Sequence, residues 1–297
     1  MSPGFAQDLT PIGHEFGIIP IRLGLGRGAC SRRTILRITL NEAKSMQVRK
    51  GVEVAGISDV GCQRTNNEDS YSYWEPASDS EYEKKGRLAI VADGMGGHEG
   101  GQEASSLAVK TIQQVYSEAP NSDPKSLMAE AFHTAHDRIH RYAVEHPQLR
   151  GMGTTATAVV LLSKRLYYSH VGDSRLYLVR NGKASRLTHD HSYVSRLVEF
   201  GVITAEEAEI HPQRHILTTA LGVGPEFTPD TPEQPIPLQA EDVLVLCTDG
   251  LWGLVPDEEL AQAVTENDPP QACRVLLDLA KQRGGPDNIT LQVLRID

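Results

Sequence analysis

Three aspartates lie beside short apolar runs that are typical of buried strands. Asp93 and Asp249 each follow such a run and precede a glycine, whereas Asp287 stands just before another run. Glycine lets the backbone turn sharply, so we expect it to present the preceding carboxylate at the end of the strand. The spacing therefore predicts several carboxylates gathered at the ends of core strands.

A cluster of this kind points to a bound cation. Buried carboxylates are costly unless positive charge compensates them. Oxygen ligands without His or Cys favour a hard cation, Mg²⁺ or Mn²⁺. One Asp-Gly pair alone is more often an ordinary turn, but two such pairs and Asp287 together weaken that explanation. A nucleotide phosphate loop is disfavoured, because the Gly-rich segment 94–101 lacks the Gly-Lys-Ser/Thr ending and the dinucleotide spacing.

Two further segments hold candidate residues. Arg64, Glu68 and Asp69 lie in a polar stretch and by themselves suit a solvated loop. Beside a metal site, the Arg64 guanidinium would offer a fork of donors that fits phosphate oxygens, and the two acids could hold metal-bound waters. Asp173 lies in a Gly-Asp-Ser turn between two strand-like runs, where an acid could also serve the turn alone.

The composition limits the class of protein. The chain has 297 residues and a formal net charge of -10, which argues against general affinity for nucleic acid. Its four cysteines are far apart and form no C-x-x-C pair, so we expect free thiols of a reducing, cytoplasmic compartment and no zinc site. No apolar run approaches the roughly 20 residues of a membrane helix.

The first 50 residues differ from the rest of the chain. Basic residues outnumber acidic ones there, and Gly and Pro interrupt the apolar runs. We expect a poorly ordered or non-native extension over 1–50, followed by one domain over 51–297. A signal peptide is not expected, and one hypothesis is that translation begins at Met46.

The remaining pattern is that of an α+β protein. Apolar spacing predicts two helices between about 104 and 143, and two more over 257–266 and 270–283. The middle of the chain reads as strands, including one long strand over 153–162, with Asn181-Gly182 as a hairpin turn. Residues 75–87 read as a hairpin-like loop. Residues 190–216 leave the sheet, with a short helix from Tyr193 to Phe200 and a capping box of Thr204 and Glu207.

Eight ordered motifs together resemble the metal-dependent serine/threonine protein phosphatases of type 2C, in their compact bacterial form. They cover the chain from about residue 52 to its end. The motifs are SDVGCQRTNNED (58–69), VADGMGGHEGG (91–101), GTTA (153–156), HVGDSRLY (170–177), LTHDHS (187–192), LTTALG (217–222), LCTDGLWG (246–253) and GGPDNIT (284–290).

The resemblance implies a four-layer α-β-β-α sandwich, in which two central antiparallel sheets are flanked by helix pairs. It also implies roles for the candidate residues. Asp93 would bridge two metals with the Gly94 carbonyl as a further ligand, and Asp249 and Asp287 would complete the shell. Glu68 and Asp69 would hold metal-bound waters, Asp173 would help to bind a weaker third metal, and Arg64 would bind the substrate phosphate. The excursion at 190–216 would be the flap that shapes access to the site.

The implied reaction is direct hydrolysis of phosphoserine or phosphothreonine by a metal-bridged hydroxide, without a covalent intermediate. None of the four cysteines begins the C-x5-R loop of a thiol phosphatase. Animal members carry His after the Asp-Gly, where this chain has Met95. The general acid therefore stays open between His98 and a metal-bound water.

Two other functions remain as alternatives. One is a two-metal phosphodiesterase, and the other is an inactive phosphoprotein-binding scaffold; the complete set of candidate ligands disfavours the scaffold. The expected partners are phosphoserine and phosphothreonine proteins in bacterial signal transduction, with a cognate Ser/Thr kinase as a possible partner. We expect a monomer that binds neither nucleic acid nor membrane.

Overall fold

The computed structural model describes residues 44–45, 49–97, 99–120, 123–225 and 227–297, all within one compact unit that spans Asn41–Asp297. Most of the predicted extension, including Met46, lies outside these residues, so the predicted boundary stays a prediction. In the described part of the chain, no helix is long and apolar enough to cross a bilayer.

The strands form two antiparallel sheets. The first sheet has the order β1-β2-β12-β11-β8-β9, and the second has the order β10-β7-β6-β4-β3, with β5 paired to β4. The strands are β1 (Lys44–Ser45), β2 (Val52–Asp59), β3 (Asp69–Trp74), β4 (Arg87–Met95), β5 (Gly153–Thr154), β6 (Ala156–Leu162), β7 (Arg165–Val171), β8 (Arg175–Arg180), β9 (Lys183–Arg186), β10 (Ile236–Pro237), β11 (Val243–Cys247) and β12 (Ile289–Ile296).

Helix pairs cover the outer faces of both sheets. The helices are α1 (Asp79–Lys85), α2 (Glu99–Glu118), α3 (Pro124–Glu145), α4 (Tyr193–Glu199), α5 (Ala205–Glu209), α6 (Asp249–Trp252), α7 (Asp257–Glu266) and α8 (Pro269–Gln282). Helices α2 and α3 share an apolar core with the second sheet, and α7 and α8 share one with the first. The predicted four-layer α-β-β-α sandwich is confirmed.

A third apolar cluster lies between the two sheets. Inward-facing side chains of the first sheet, such as Leu244 and Leu294, meet those of the second, such as Val91 and Val159. Each of these four side chains is almost completely buried. Central strands therefore bury both faces, which is why the sequence shows them as continuous apolar runs rather than alternating ones.

Two local predictions were wrong. Residues 75–87 contain helix α1, because Ser78 caps it by accepting from the Glu81 backbone N–H. Acids in its first turn and lysines in its last turn also suit the helix dipole. The strand predicted over 153–162 is interrupted at Thr155, whose backbone N–H and hydroxyl are engaged by the Asp93 backbone instead.

Candidate active site

The site begins with a pair of aspartates on neighbouring strands. Asp69 opens β3 and lies directly opposite Asp93 in the register of β3 and β4. Asp93 is held by its backbone, since its N–H donates to Thr155 Oγ1 over 2.9 Å and its carbonyl accepts from Thr154 Oγ1 over 2.8 Å. Two carboxylates at opposed positions of a ladder are close neighbours, which is unfavourable without positive charge between them.

Asp249 reaches the same place from the other sheet. It opens α6 directly after β11, and Thr248 between them is fully buried. The Thr248 hydroxyl donates to Asp69 Oδ2 over 2.9 Å and so connects the two sheets at the site. The Thr290 backbone N–H donates to the same hydroxyl over 3.1 Å, which fixes the direction of that donor.

Asp287 and Arg64 form an ion pair at the rim. Arg64 Nη2 lies 2.7 Å from Asp287 Oδ2, and the two side chains are 50% and 34% exposed. The second Asp287 oxygen accepts from the Asn288 backbone N–H over 2.8 Å. Burial lowers the pKa of Arg64, but the Asp287, Glu68 and Asp249 carboxylates outweigh it and leave the pKa raised.

Asp173 lies in the turn between β7 and β8, as predicted. Its side chain is nearly buried, and its carbonyl accepts from Trp252 Nε1 over 2.9 Å. Trp252 ends α6, and its ring stacks under the Arg175 guanidinium at 3.5 Å from the ring centroid. This stack joins the Asp173 turn to the helix that Asp249 opens.

Close packing of glycines sets the distance between Asp93 and helix α2. Gly94 lies within β4, which continues to Met95, so the strand does not turn there as predicted. A β-carbon on Gly94 would overlap the Gly101 carbonyl, and one on Gly101 would overlap Glu68 Oε2. The Gly94 N–H also donates to the Glu68 carbonyl over 3.2 Å. Gly94 is therefore needed because α2 approaches β4 closely there, and not because the chain turns.

These positions form one electrostatic unit, the carboxylate cluster of Asp69, Asp93, Asp173, Asp249 and Asp287. Burial, followed by the charges of its neighbours, raises the pKa of Asp93 well above its ordinary value. Asp173 is raised for the same reasons, with Asp249 as its strongest acidic neighbour. Burial raises the pKa of Asp69 to about 7, although hydrogen bonds from Thr290 and Thr248 oppose the change.

The donor set fits a hard cation. Asp69 Oδ1 and Asp249 Oδ1 are buried, and neither has a hydrogen-bond partner among the described residues. Buried carboxylate oxygens without donors are costly unless a cation compensates them. As they stand, however, no three His, Cys, Asp or Glu side chains in the described ranges converge into a metal cage. Arg64 engages Asp287 and Thr248 engages Asp69, so both compete for oxygens that a cation would use.

Several residues that lie around the site were not assigned a role from the sequence. Thr248 and Asn288 lie inside the quoted motifs and adjoin two predicted ligands, but spacing alone did not assign them a role. Asn288 Oδ1 accepts from the Glu68 N–H over 2.8 Å, which holds the Glu68 segment against β12. His215 Nδ1 lies 3.9 Å from Asp249 Oδ2, a contact that only the fold creates. His98, a candidate general acid, lies outside the described residues.

Comparison with known proteins supports the same family. A family model described as protein phosphatase 2C matches residues 63–267. The serine/threonine protein phosphatase PstP of Mycobacterium tuberculosis (strain ATCC 25618 / H37Rv) is 37% identical over 239 residues, which make up 80% of this chain and 44% of the relative. Protein phosphatase PhpP of Streptococcus pneumoniae (strain ATCC BAA-255 / R6) is 33% identical over 251 residues, 83% of this chain and 98% of the relative.

A solved structure extends this likeness to the fold. The catalytic domain of serine threonine protein phosphatase PstP, in complex with 2 manganese ions, has a TM-score of 0.71 and 34% sequence identity. The match covers 83% of this chain and 99% of that chain. This chain spans less than half the length of the full mycobacterial relative, and nearly all of the streptococcal one. As its motifs predicted, the chain belongs to the protein phosphatase 2C family.

Proposed function

We propose that the chain is a metal-dependent protein serine/threonine phosphatase that hydrolyses phosphoserine and phosphothreonine directly. The observation that carries the proposal is the carboxylate cluster, in which the pKa values of Asp69, Asp93 and Asp173 are raised. Two buried oxygens of the cluster also lack hydrogen-bond donors among the described residues. The names of the bacterial relatives support the reaction class. The solved relative with 2 manganese ions supports the cofactor.

The chain offers oxygen ligands for two core Mg²⁺ or Mn²⁺ ions and a weaker third. Asp93 and the Gly94 carbonyl, with Asp249 and Asp287, would hold the core ions. Glu68 and Asp69 would hold them through waters, and Asp173 would serve the third. When bound, such cations lower the pKa of water and neutralise charge on a phosphate.

Arg64 is positioned to bind the substrate phosphate. Only one of its terminal nitrogens is engaged, by Asp287, and its remaining N–H groups have no hydrogen-bond partner among the described residues. Its side chain is half exposed at the rim of the carboxylate cluster. A guanidinium there neutralises the equatorial phosphate oxygens as charge moves toward the leaving alkoxide.

None of the three cysteines that the structure describes is placed to form a phosphoenzyme. Cys247 and Cys273 are buried, and burial raises the pKa of each thiol to about 12. Cys62 is exposed but lacks the C-x5-R spacing. The Ser or Thr alkoxide that leaves needs a proton, and we assign its donor to no residue.

The test is hydrolysis of a phosphothreonine peptide by the purified chain with Mn²⁺, and then with excess EDTA, alongside Asp249→Asn. Phosphate release that EDTA and the substitution both abolish supports a metal-dependent phosphatase. A folded chain that binds Mn²⁺ without turnover favours the inactive phosphoprotein-binding scaffold. Hydrolysis of a cyclic dinucleotide in preference to the peptide favours the two-metal phosphodiesterase.

The substrates, the compartment, the oligomeric state and the domain boundary of the enzyme are also proposals. Its substrates would be bacterial phosphoproteins, among them a cognate Ser/Thr kinase, and it would act as a cytoplasmic monomer in signal transduction. The catalytic domain would be residues 51–297. A chain that begins at residue 41 tests this boundary, since it keeps β1, which pairs with β2 at Gly56 and Ala55. We expect its kcat/KM to stay within about twofold of the full chain, and its light-scattering mass to be that of a monomer.

A further inference from the structure

A cavity of about 700 Å³ lies between the segment that leads into α4 and the loop residues 217–225 and 227–230. Its apolar wall includes Met95, Leu217, Val223 and Phe227, and its polar wall includes Arg196 on α4. None of these residues belongs to the proposed metal or phosphate machinery. The cavity therefore needs an explanation of its own.

Backbone contacts place this cavity beside the carboxylate cluster. Met95 is two residues beyond Asp93 in the same strand, so both side chains leave the same face of the second sheet. On the other side, the His191 N–H donates to the Gly172 carbonyl over 2.7 Å, directly before Asp173. A peptide whose phosphorylated residue lies at the cluster would therefore reach the cavity within a few residues, at about 3.3 Å per residue.

Arg196 stands out among the charged groups of the cavity. Asp190 pairs with Arg175 and Arg186, and Asp230 Oδ2 lies 3.0 Å from His191 Nε2.

Glu199, one helical turn after Arg196, pairs with His189 at 2.9 Å instead of with Arg196. Within the described ranges, the Arg196 side chain has no ion pair and no hydrogen bond, and it is exposed. It is therefore a cation that remains available to an incoming carboxylate.

The apolar wall of the cavity is also exposed in part. Val223 is 43% exposed, and its methyl group and the Met95 terminal methyl both border Gly153, where a β-carbon would crowd them. Most of the exposed large apolar side chains in the described residues fall within 193–223, and these are Tyr193, Phe200, Val202, Ile210, Ile216 and Val223. Among them, Val223 lines the cavity. Exposed apolar surface gathered within one short segment is typical of a contact surface rather than of ordinary protein exterior.

We propose that this cavity binds the residues that flank the phosphorylated Ser or Thr of the substrate. An aliphatic substrate side chain packs against Met95 and Val223, and a substrate carboxylate pairs with Arg196. The inference rests on the proposed phosphatase function and adds a substrate preference to it. Substrates with one aliphatic and one acidic residue near the phosphorylated position are favoured over those with polar, uncharged or basic neighbours.

The experiment uses the full chain with Mn²⁺ and a panel of phosphothreonine peptides. A single Glu, with Gln as its neutral partner, is moved from four residues before the phosphothreonine to four residues after it. A Leu and Gly pair is moved in the same way. We expect at least one position where Glu raises kcat/KM about three- to tenfold over Gln, mainly through KM, since the pair forms with bound substrate.

Variants then assign the preference to the cavity. Arg196→Ala removes the advantage of Glu over Gln, Arg196→Lys restores part of it, and Arg196→Glu makes a Lys at that position the better residue. Val223→Ala reduces the advantage of Leu over Gly. Arg214→Ala is the matched control, because Arg214 is also exposed in the excursion but does not line the cavity. It leaves the Glu and Leu preferences in place.

Hydrolysis of a small aryl phosphate separates the phosphatase proposal from the cavity proposal. If the chain does not hydrolyse it or any peptide, the phosphatase proposal fails, and this inference fails with it. If the chain hydrolyses it but no position prefers Glu, or the preference survives Arg196→Ala, the cavity proposal alone is overturned. A chain that forms dimers in light scattering, with dimerisation abolished by Val223→Asp, would make a second copy the occupant and would also overturn the proposal.

Discussion

At the scale of single residues, the site is a set of carboxylates that repel one another and one arginine that holds the outermost of them. Arg64 and Asp287 are both partly exposed, so their ion pair contributes at most about 1 kcal/mol to folding. A phosphate in the site presents more negative charge and more acceptor oxygens than one carboxylate does. Arg64 is therefore expected to matter for the reaction far more than for the fold.

We predict that Arg64→Ala lowers kcat/KM for a phosphothreonine peptide by about 10- to 100-fold and changes the free energy of unfolding by less than about 1 kcal/mol. Arg64→Lys keeps the charge but loses the planar fork, and recovers only part of the activity. Arg283→Ala is the control, because it removes an exposed arginine that pairs with Glu259. Equal loss of activity in Arg64→Ala and Arg283→Ala would contradict the assignment.

The candidate ligand residues could be named from the sequence because their local signals are strong. An acid at the end of an apolar run is visible in sequence, and the motif set named Asp69 and Asp173 as well. The Thr248 hydroxyl on Asp69 could not be predicted, since β11 and β3 lie in different sheets and 179 residues separate the two positions. The contact between His215 and Asp249 is of the same kind, because it depends on the path of a loop rather than on local spacing.

At the scale of elements, helix α2 is held against β4 by glycines. A β-carbon on Gly101 would overlap Glu68 Oε2 and lie 2.8 Å from the Gly94 carbonyl carbon, whereas one on Gly100 would lie 3.3 Å from Met152 Cβ. Neighbouring glycines of one helix thus meet very different surroundings. The sequence showed the glycines but not which of them faces the site.

We predict that Gly101→Ala destabilises the protein by about 1–3 kcal/mol, because the helix must move away from the strand. Since Glu68 and Gly94 move with it, phosphatase activity falls at least about tenfold. Gly100→Ala is the matched control, and its free energy of unfolding stays within about 1 kcal/mol, since better helix propensity offsets the tighter contact. Urea unfolding and peptide hydrolysis measure both. If Gly101→Ala kept wild-type stability and activity, the contact of α2 with Gly94 and Glu68 would have to be looser than the structure shows.

The short helices of the excursion are stabilised by caps rather than by burial. In α5 the Thr204 hydroxyl accepts from the Glu207 N–H, and Glu207 Oε2 accepts from the Thr204 N–H over 2.8 Å, which confirms the predicted capping box. The helix buries none of its side chains. A capping box of this kind can be predicted from the sequence, because both of its residues lie within one turn of the helix.

We predict that Thr204→Ala weakens α5 by about 1 kcal/mol without changing global unfolding by more than about 0.5 kcal/mol. The measurement is amide hydrogen exchange of residues 205–209 alongside urea unfolding. Glu207→Gln is the control, because glutamine also completes a capping box. A fall in global stability as large as the local change would mean that α5 unfolds only together with the sandwich.

At the scale of the whole molecule, the carboxylate cluster sits where the two sheets meet, in a chain whose net charge is already -10. Motif order could predict the two-sheet sandwich through its family. Periodicity alone reached only the α+β class, because strand order depends on pairings between distant segments such as β2 with β12. The same meeting of sheets concentrates like charge, so metal-free protein should be less stable when the cluster is ionised.

The direction in which pH changes the stability of metal-free protein follows from the pKa values. Asp69 titrates at about 7 in the folded state against 3.8 unfolded, and the pKa of Asp93 is also well above 3.8. The folded state thus binds more protons, and its stability is lost as pH rises through the folded pKa. Burial also lowers the pKa of His170, to about 4, and that of His136. These two groups act in the opposite sense, but their effect fades as pH rises above their unfolded value of 6.5. The informative window is therefore about pH 6.5 to 8.

We predict that metal-free protein loses at least about 1 kcal/mol of unfolding free energy between pH 6.5 and 8.0. Each proton that the folded state binds in excess of the unfolded state changes stability by about 1.4 kcal/mol per pH unit. Urea unfolding in EDTA measures this loss. Asp93→Asn removes one buried charge, so it should be the more stable protein at pH 8.0 and show a smaller slope. Mn²⁺ should stabilise the wild type most at pH 8.0, because protons no longer compete for its ligands. A flat or rising profile in EDTA would mean that the carboxylates are compensated without a cation, and would remove the main physical support for the metal site.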